Sequence, residues 1–155
     1  MEMRKVVIAG AARTAMGGFQ GVFSGIAAAE LGGAAIRAAL TGISTDLVEE
    51  VPATTLNKMC GSGMKAAMIA HDQIALGNTG VMVAGGMESM SGAPYLLPKM
   101  RGGARLGHST VIDHMFLDGL EDAYDKGRLM GTFAEDCAQR FQFTREAQDG
   151  YALAS

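Results

Sequence analysis

Asn57-Lys58-Met59-Cys60-Gly61-Ser62-Gly63-Met64-Lys65-Ala66-Ala67 decides how this chain is read. Val51 to Asn57 has the composition of a short strand, with Pro52 near its start, where a missing N–H donor is tolerated. From Met64 to Leu76 nearly every residue is apolar or small, which predicts a helix buried on most sides. Gly77 and Asn78 supply stop signals. Cys60 falls at the handover from strand to helix. There the unpaired N–H groups and the positive end of the helix dipole favour an anion such as a thiolate. Gly61 and Gly63 remove side chains beside the sulfur, permit a sharp turn and allow a bulky thioester to approach. The local pattern is equally that of a buried cysteine at the top of a core helix, since free Cys is among the most buried residues.

Working outward, Lys5 to Ala9 is a continuous apolar run, as in a strand covered on both faces. Arg13 to Ser24 reads as glycine-rich loop. A helix is expected from about Ile26 to Leu40, with Ser24 as N-cap, Ile26, Ala29, Gly33, Ile36 and Leu40 on one face, and Gly42 as its stop. Val81 to Ala84 is the next strand. Strands alternating with helices predict an α/β layer with parallel pairing. Right-handed crossovers would then place Cys60 and Gly85-Gly86 at the carboxyl ends of strands, where open α/β sheets bind ligands. From Gly86 to Arg128 the prolines, glycine pairs and weak periodicity suggest a long loop excursion. Thr132 with Glu135 has the spacing of a capping box, ahead of Phe133, Cys137 and Phe141 on one helix face. Thr144 to Ser155 begins as an amphipathic helix with Ala147, Tyr151 and Ala154 aligned and ends without a C-cap, as a truncated chain would.

Composition excludes several classes. The chain is long enough for one domain, and 48% hydrophobic residues can supply a core. Glycine is 22 of 155 residues without a period, which points to tight turns and close backbone approaches rather than collagen. A formal net charge of −3 with scattered Lys and Arg gives no footprint for nucleic acid. The two cysteines, Cys60 and Cys137, make neither a disulfide framework nor a metal motif, and fit a reducing cytoplasm. Arg4-Lys5 before Val6 to Ala12 superficially resembles a signal peptide, but Arg13 closes the short apolar run. No stretch has the length of a membrane span. The 12 methionines are read mostly as gap-filling core.

Four stretches carry a family resemblance. Asn57-Lys58-Met59-Cys60-Gly61-Ser62-Gly63 resembles the nucleophile motif of the thiolases, and Val83-Ala84-Gly85-Gly86-Met87-Glu88-Ser89-Met90-Ser91 resembles a second signature. Ala11-Ala12-Arg13-Thr14 and Met130-Gly131-Thr132-Phe133-Ala134-Glu135 match in the right order. Within the family the chain is most like bacterial acetyl-CoA acetyltransferases. The resemblance implies an α/β fold: half of the layered thiolase architecture with a mostly parallel sheet, plus part of a loop domain. It implies an N-terminal core over 1–85 with one strand–helix unit of roughly thirty residues missing near 50/51, a partial loop domain over 86–130 covering the coenzyme A pocket, and a truncated return into the core over 131–155.

The chemistry implied is acyl transfer without a cofactor or metal. The residue matching Cys60 takes an acyl group from coenzyme A. Two acetyl-CoA condense to acetoacetyl-CoA, or 3-ketoacyl-CoA is cleaved, in a homo-oligomer with no nucleic-acid or membrane partner. Asn57, Gly61, Ser62, Gly63, Gly85 and Gly86 would support the nucleophile loop, and Leu120 and Met130 would line the acyl and pantetheine channel. The histidine that precedes the methionine in the family is Leu129 here. Ser91 and Ala93-Pro94 would shape the loop entrance. The family's activating histidine and second catalytic cysteine have no counterpart in these residues, so the isolated chain is expected to be a weak catalyst or inactive. A truncated remnant acting only by association is the competing reading. A Rossmann-type nucleotide module ranks far below, because no G-x-G-x-x-G follows a strand. Cys137 is expected in the core, His71 too far along its helix to reach Cys60, and Glu88 paired with backbone donors. His108, Asp113 and His114 lack a recognised metal-ligand spacing.

Overall fold

The computed structural model describes residues 4–43 and 51–155. The expected junction near 50/51 therefore borders residues 44–50, which lie outside the described residues. The chain divides into two compact units, Met1–Gly92 and Ala93–Ser155.

The first unit is built on two helices. Helix α1 spans Ala28–Leu40 and α2 spans Ser62–Ala75. Helix α1 begins two residues later than expected, with Ala27 rather than Ser24 at the N-cap position and no side-chain cap. Its better-covered stripe is Ala28, Leu31, Gly32, Ala35 and Ala39, while Ala29 and Ile36 of the expected face are exposed. Small side chains explain the choice. Met87 packs where a Cβ on Gly32 would stand, and the carbonyl of Ala39 lies against Gly10.

Helix α2 turns Gly63, Ala66, Ala70 and Ile74 toward cover, the i, i+3, i+7 pattern of one helix face. Met64, Met68 and Leu76 are exposed, so the helix is covered on one side and not on most. Its end follows the sequence signals. The Asn78 N–H donates to the Gln73 carbonyl and the Gly77 N–H to that of Ile74, with Gly77 at φ +81°. This is a Schellman motif, which satisfies two otherwise orphaned carbonyls. Gly77→Ala is expected to destabilise this end by about 1 kcal/mol, because a Cβ is disfavoured in the left-handed region. Amide exchange at Gly77 and Asn78 roughly five times faster than in the parent would register that cost.

The segments expected as parallel strands are not joined in a ladder. Among the described residues, the one backbone hydrogen bond from 4–10 runs from the Arg4 N–H to the Ala75 carbonyl. The 51–57 and 81–86 segments make no backbone–backbone bond. Val7 and Ile8 are 72% and 89% exposed. The only sheet among the described residues lies in the second unit, where β1 (Tyr95–Leu96) pairs antiparallel with β2 (Ile112–Asp113), Tyr95 opposite Asp113.

In the second unit a single π turn, Phe116–Leu120, follows β2, closed by the Glu121 N–H on the Phe116 carbonyl. Helices α3 (Gly131–Phe141) and α4 (Arg145–Ala154) complete it. Helix α4 is capped by Thr144, whose hydroxyl accepts from the Ala147 N–H. Thr132, expected as an N-cap, lies inside α3. Its hydroxyl donates to the Leu129 carbonyl and accepts from Arg128, so no capping box forms. Cys137, expected in the core, is exposed.

Among the described residues only Ala70 and Ala75 are buried. The accessible surface is 13122 Å². A compact body of this mass exposes about 7,400 Å², and two separate bodies of half the mass about 9,000 Å². The excess is independent of how the units are arranged, and it consists in good part of apolar side chains with nothing packed on them.

Candidate active site

Cys60 is positioned by a loop that bonds to itself. Asn57 Oδ1 accepts the Met59 N–H at 2.8 Å, an Asx turn. Ser62 Oγ accepts the Lys58 N–H at 2.9 Å and donates to the Met59 carbonyl at 2.7 Å. The Gly61 N–H donates to the Lys58 carbonyl. The side chains of Asn57 and Ser62 thus bond backbone groups of the loop itself. The sharp turn is not made by a glycine. Met59 has φ +51°, whereas Gly61 sits at φ −97°, which any residue can adopt. A left-handed non-glycine residue beside a reactive side chain is locally costly and must be held by its surroundings. Here the Asn57 and Ser62 bonds hold it.

Cys60 is a free, exposed thiol just ahead of Gly61, the N-cap of α2. The Lys65 N–H bonds back to the Gly61 carbonyl, but the N–H groups of Gly63 and Met64 have no backbone acceptor among the described residues. These are the orphan donors of a helix N-terminus, and they favour negative charge nearby. Gly63 approaches Gly86: a Cβ on Gly86 would stand 3.7 Å from the Gly63 Cα. The structure therefore brings Asn57, Cys60, Gly61, Ser62, Gly63 and Gly86 together. Gly85 adjoins Gly86 in the chain and has open space at its Cβ position.

Leu120 and Met130 belong to the second unit, and they meet. The Met130 N–H donates to the Leu120 carbonyl at 2.8 Å, closing the 121–129 loop. Composition gave little sign of how that loop is held. Glu121 accepts from the Gly127 N–H at 2.7 Å and from Lys126 at 3.2 Å. Asp122 accepts from the Tyr124 and Asp125 N–H groups. Arg128 bonds Asp136 and Thr132 and lies 3.8 Å from the Phe133 ring centroid. An acidic residue two or three positions before unpaired N–H groups is the sequence signal for such a loop.

These bonds set a pH dependence. The Gly127 N–H and then Lys126 hold the Glu121 carboxyl below the ordinary range, and the Asp125 and Tyr124 N–H groups do the same for Asp122. With both lowered in the folded state, their contribution is complete above the ordinary carboxylate range and lost as pH falls through the lowered values. The Gly127 amide resonance is expected to titrate in acid, below a free glutamate, and Glu121→Gln to abolish that titration.

The remaining residues separate. His71 pairs with Asp72 on α2. Asp113 accepts the Met115 N–H, His114 pairs with Asp118, and His108 lines an open loop concavity with Lys99 and Arg105. Glu88 makes no side-chain hydrogen bond among the described residues, contrary to expectation, and is exposed.

Cys60 is thus an exposed thiol just ahead of the N-terminus of α2, on the loop whose Gly63 approaches Gly86. The chain belongs to the thiolase family: residues 41–155 match the model of the thiolase N-terminal domain. It is similar to acetyl-CoA acetyltransferase 2 of Arabidopsis thaliana, 47% identical with 98% of this chain and 45% of that protein covered. It is also similar to the acetyl-CoA acetyltransferases of Pseudomonas aeruginosa, at 43% identity over 99% of this chain and 46% of that protein, and of Cupriavidus necator, at 41% over 99% and 46%. The chain thus spans about half the length of the curated relatives it matches. The match to the Arabidopsis protein extends over 183 positions, to which this chain of 155 contributes 98% of its residues. About 30 positions of that relative therefore have no counterpart here.

Proposed function

We propose that this chain carries the acyl-accepting half of a thiolase-type acetyl-CoA acyltransferase, with Cys60 as nucleophile. The observation that supports it most is the position of Cys60, exposed beside the unpaired N–H groups of Gly63 and Met64. The Cys60 thiolate attacks the carbonyl carbon of acetyl-CoA. A new S–C bond forms as the bond from that carbon to the coenzyme A sulfur breaks, and the departing coenzyme A thiolate takes a proton. Charge developing on the carbonyl oxygen is the kind that oriented N–H donors stabilise, each worth about two to three orders of magnitude in rate. Acetyl-CoA and 3-ketoacyl-CoA are the substrates on this reading, in a cytoplasmic homo-oligomer whose sheet is mostly parallel. The reaction needs no cofactor and no metal. Leu120 and Met130 bound the acyl and pantetheine channel. The second half-reaction, condensation, lies outside the proposal for this chain, because the histidine and second cysteine that the family resemblance implies are not among its residues.

A catalytically inactive remnant that acts by association is the second reading, favoured by the surplus of exposed apolar surface. Intact-mass analysis after incubation with acetyl-CoA separates the two. A single acetyl adduct mapping to the Cys60 peptide is expected. No adduct, from a chain whose Cys60 still alkylates with iodoacetamide, would leave the remnant.

A further inference from the structure

The second unit carries a run of positive charge that its own residues leave unanswered. No Asp or Glu occurs between Glu88 and Asp113, whereas Lys99, Arg101, Arg105 and His108 fall there, in a chain whose formal net charge is −3. Lys99, Arg105 and His108, together with Ser109, line an open concavity of about 590 Å³. None of the three has a carboxylate partner among the described residues. Arg101 stands on the same loop but does not line the concavity.

The backbone gathers these side chains. The Lys99 carbonyl accepts the Gly102 N–H at 3.0 Å and the Ala104 N–H at 3.3 Å, so the chain turns back on its start and Arg105 leaves the turn close to where Lys99 enters it. The Arg105 stem lies against that turn: a Cβ on Gly103 would stand 3.6 Å from its Cγ. Two residues with side chains take left-handed backbone here, Lys99 at φ +66° and Ala104 at φ +39°. That conformation is disfavoured for any residue with a Cβ, and strain of this kind gathers at ligand clamps. What it holds is two like charges on one concavity, which repel each other until an anion joins them. Beyond the turn, the N–H groups of Arg105 to Thr110 have no backbone acceptor among the described residues.

We propose that this concavity is a binding site for a diphosphate group. Two permanent cations, an imidazole N–H and a hydroxyl offer more than one carboxylate can use, since a carboxylate brings one charge and two oxygens. A diphosphate brings at least two negative charges and acceptor oxygens for all four side chains, and a phosphate oxygen pair fits the planar fork of Arg105. The volume of the concavity lies within the range of small-molecule pockets, about 300–1,000 Å³. Inorganic pyrophosphate, free nucleoside diphosphates and the coenzyme A of the proposed reaction all carry this group. The argument uses nothing of Cys60, so it stands whether or not that thiol is acylated.

The test is backbone amide NMR of the full chain titrated with inorganic pyrophosphate at about 0.15 M salt, where exposed charges more than about 8 Å apart are screened. The resonances of Lys99 and of Arg105 to Ser109 are expected to shift and saturate, and acetate at matched ionic strength should not move them. Lys99→Ala and Arg105→Ala are each expected to weaken binding about tenfold, the loss of one charge-assisted bond. Arg101→Ala, which removes an equal charge from the same loop outside the concavity, should change it less than about twofold. Unchanged resonances elsewhere in each variant exclude misfolding as the cause. ADP and coenzyme A are titrated in parallel, and the one that shifts the same amides at lower concentration is the source of the group. Pantetheine, which lacks phosphate, should shift none of them. Equal weakening by Arg101→Ala and Arg105→Ala would reduce the effect to diffuse charge and overturn the proposal. So would shifts that do not saturate, or shifts centred on another segment. Because no readout involves acetylation, this result and that of the acetyl-CoA experiment fail separately.

Discussion

Cys60→Ala is expected to yield no acetyl-enzyme, and Cys60→Ser to form one at least about a thousandfold more slowly than the parent chain. The argument rests on what the two replacements keep. Alanine removes the attacking atom. Serine keeps an atom in place within the loop held by Asn57 and Ser62, and it leaves the Gly63 and Met64 donors untouched. What it loses is the intrinsic nucleophilicity of sulfur, whereas a hydroxyl needs an adjacent base. Among the described residues no basic side chain is bonded to this loop. Rates come from quenched time courses read by intact mass, with circular dichroism confirming that helix content is unchanged. Equal rates for the serine variant and the parent would mean that acetyl groups arrive by a route not involving Cys60.

How far this site was legible in sequence depends on whether its determinants are local. The loop was legible because Asn57 and Ser62 lie within six residues, on either side of Cys60, and accept from backbone N–H groups two and four positions away. The end of α2 was legible for the same reason, with Gly77 and Asn78 bonding back to the last turn. Met59 was missed as the left-handed residue because two glycines stood nearby, and composition favours a glycine for that duty. Thr132 and Glu135 had the spacing of a capping box, but Arg128 claimed the threonine hydroxyl and α3 starts at Gly131. Cys137 was read as core from the apolar face it shares with Phe133. What covers Phe133 is instead the guanidinium of Arg128. The strands were legible as apolar runs, yet a strand exists only against a partner. Lys5–Ala9 and Val51–Leu56 keep their composition without a ladder to join. The family match supports an α/β fold for such a chain. No local pattern shows how little of such a chain is buried: only Ala70 and Ala75 among the described residues.

Gly10→Ala is expected to be the most damaging single methyl group that can be added to the first unit, at about 3 kcal/mol. A Cβ at Gly10 would run into the carbonyl oxygen of Ala39 and stand 2.7 Å from Ile43 Cδ1. The isoleucine end could swing aside, but the carbonyl is backbone in the last turn of α1. Moving it disturbs the Thr41 N–H bond to Ala38 and the Ile43 N–H bond to Leu40 next to it. Shifting Gly10 instead lifts 4–10 off the helix and strains the backbone bond from Arg4 to Ala75 of α2. Overpacking is usually softened by neighbours that repack. Here the obstacle is main chain on one side, and only two residues of the described chain are buried to share the strain. Folded domains are stable by only about 5–15 kcal/mol, so in a chain this exposed the loss is a large fraction of the total. Gly18→Ala is the matched control: a Cβ there meets nothing within 4 Å, and its effect should fall within about 0.5 kcal/mol. Urea unfolding of the two variants, followed by helix signal, decides the matter. Indistinguishable midpoints would show that the 4–10 segment does not pack on α1 in solution.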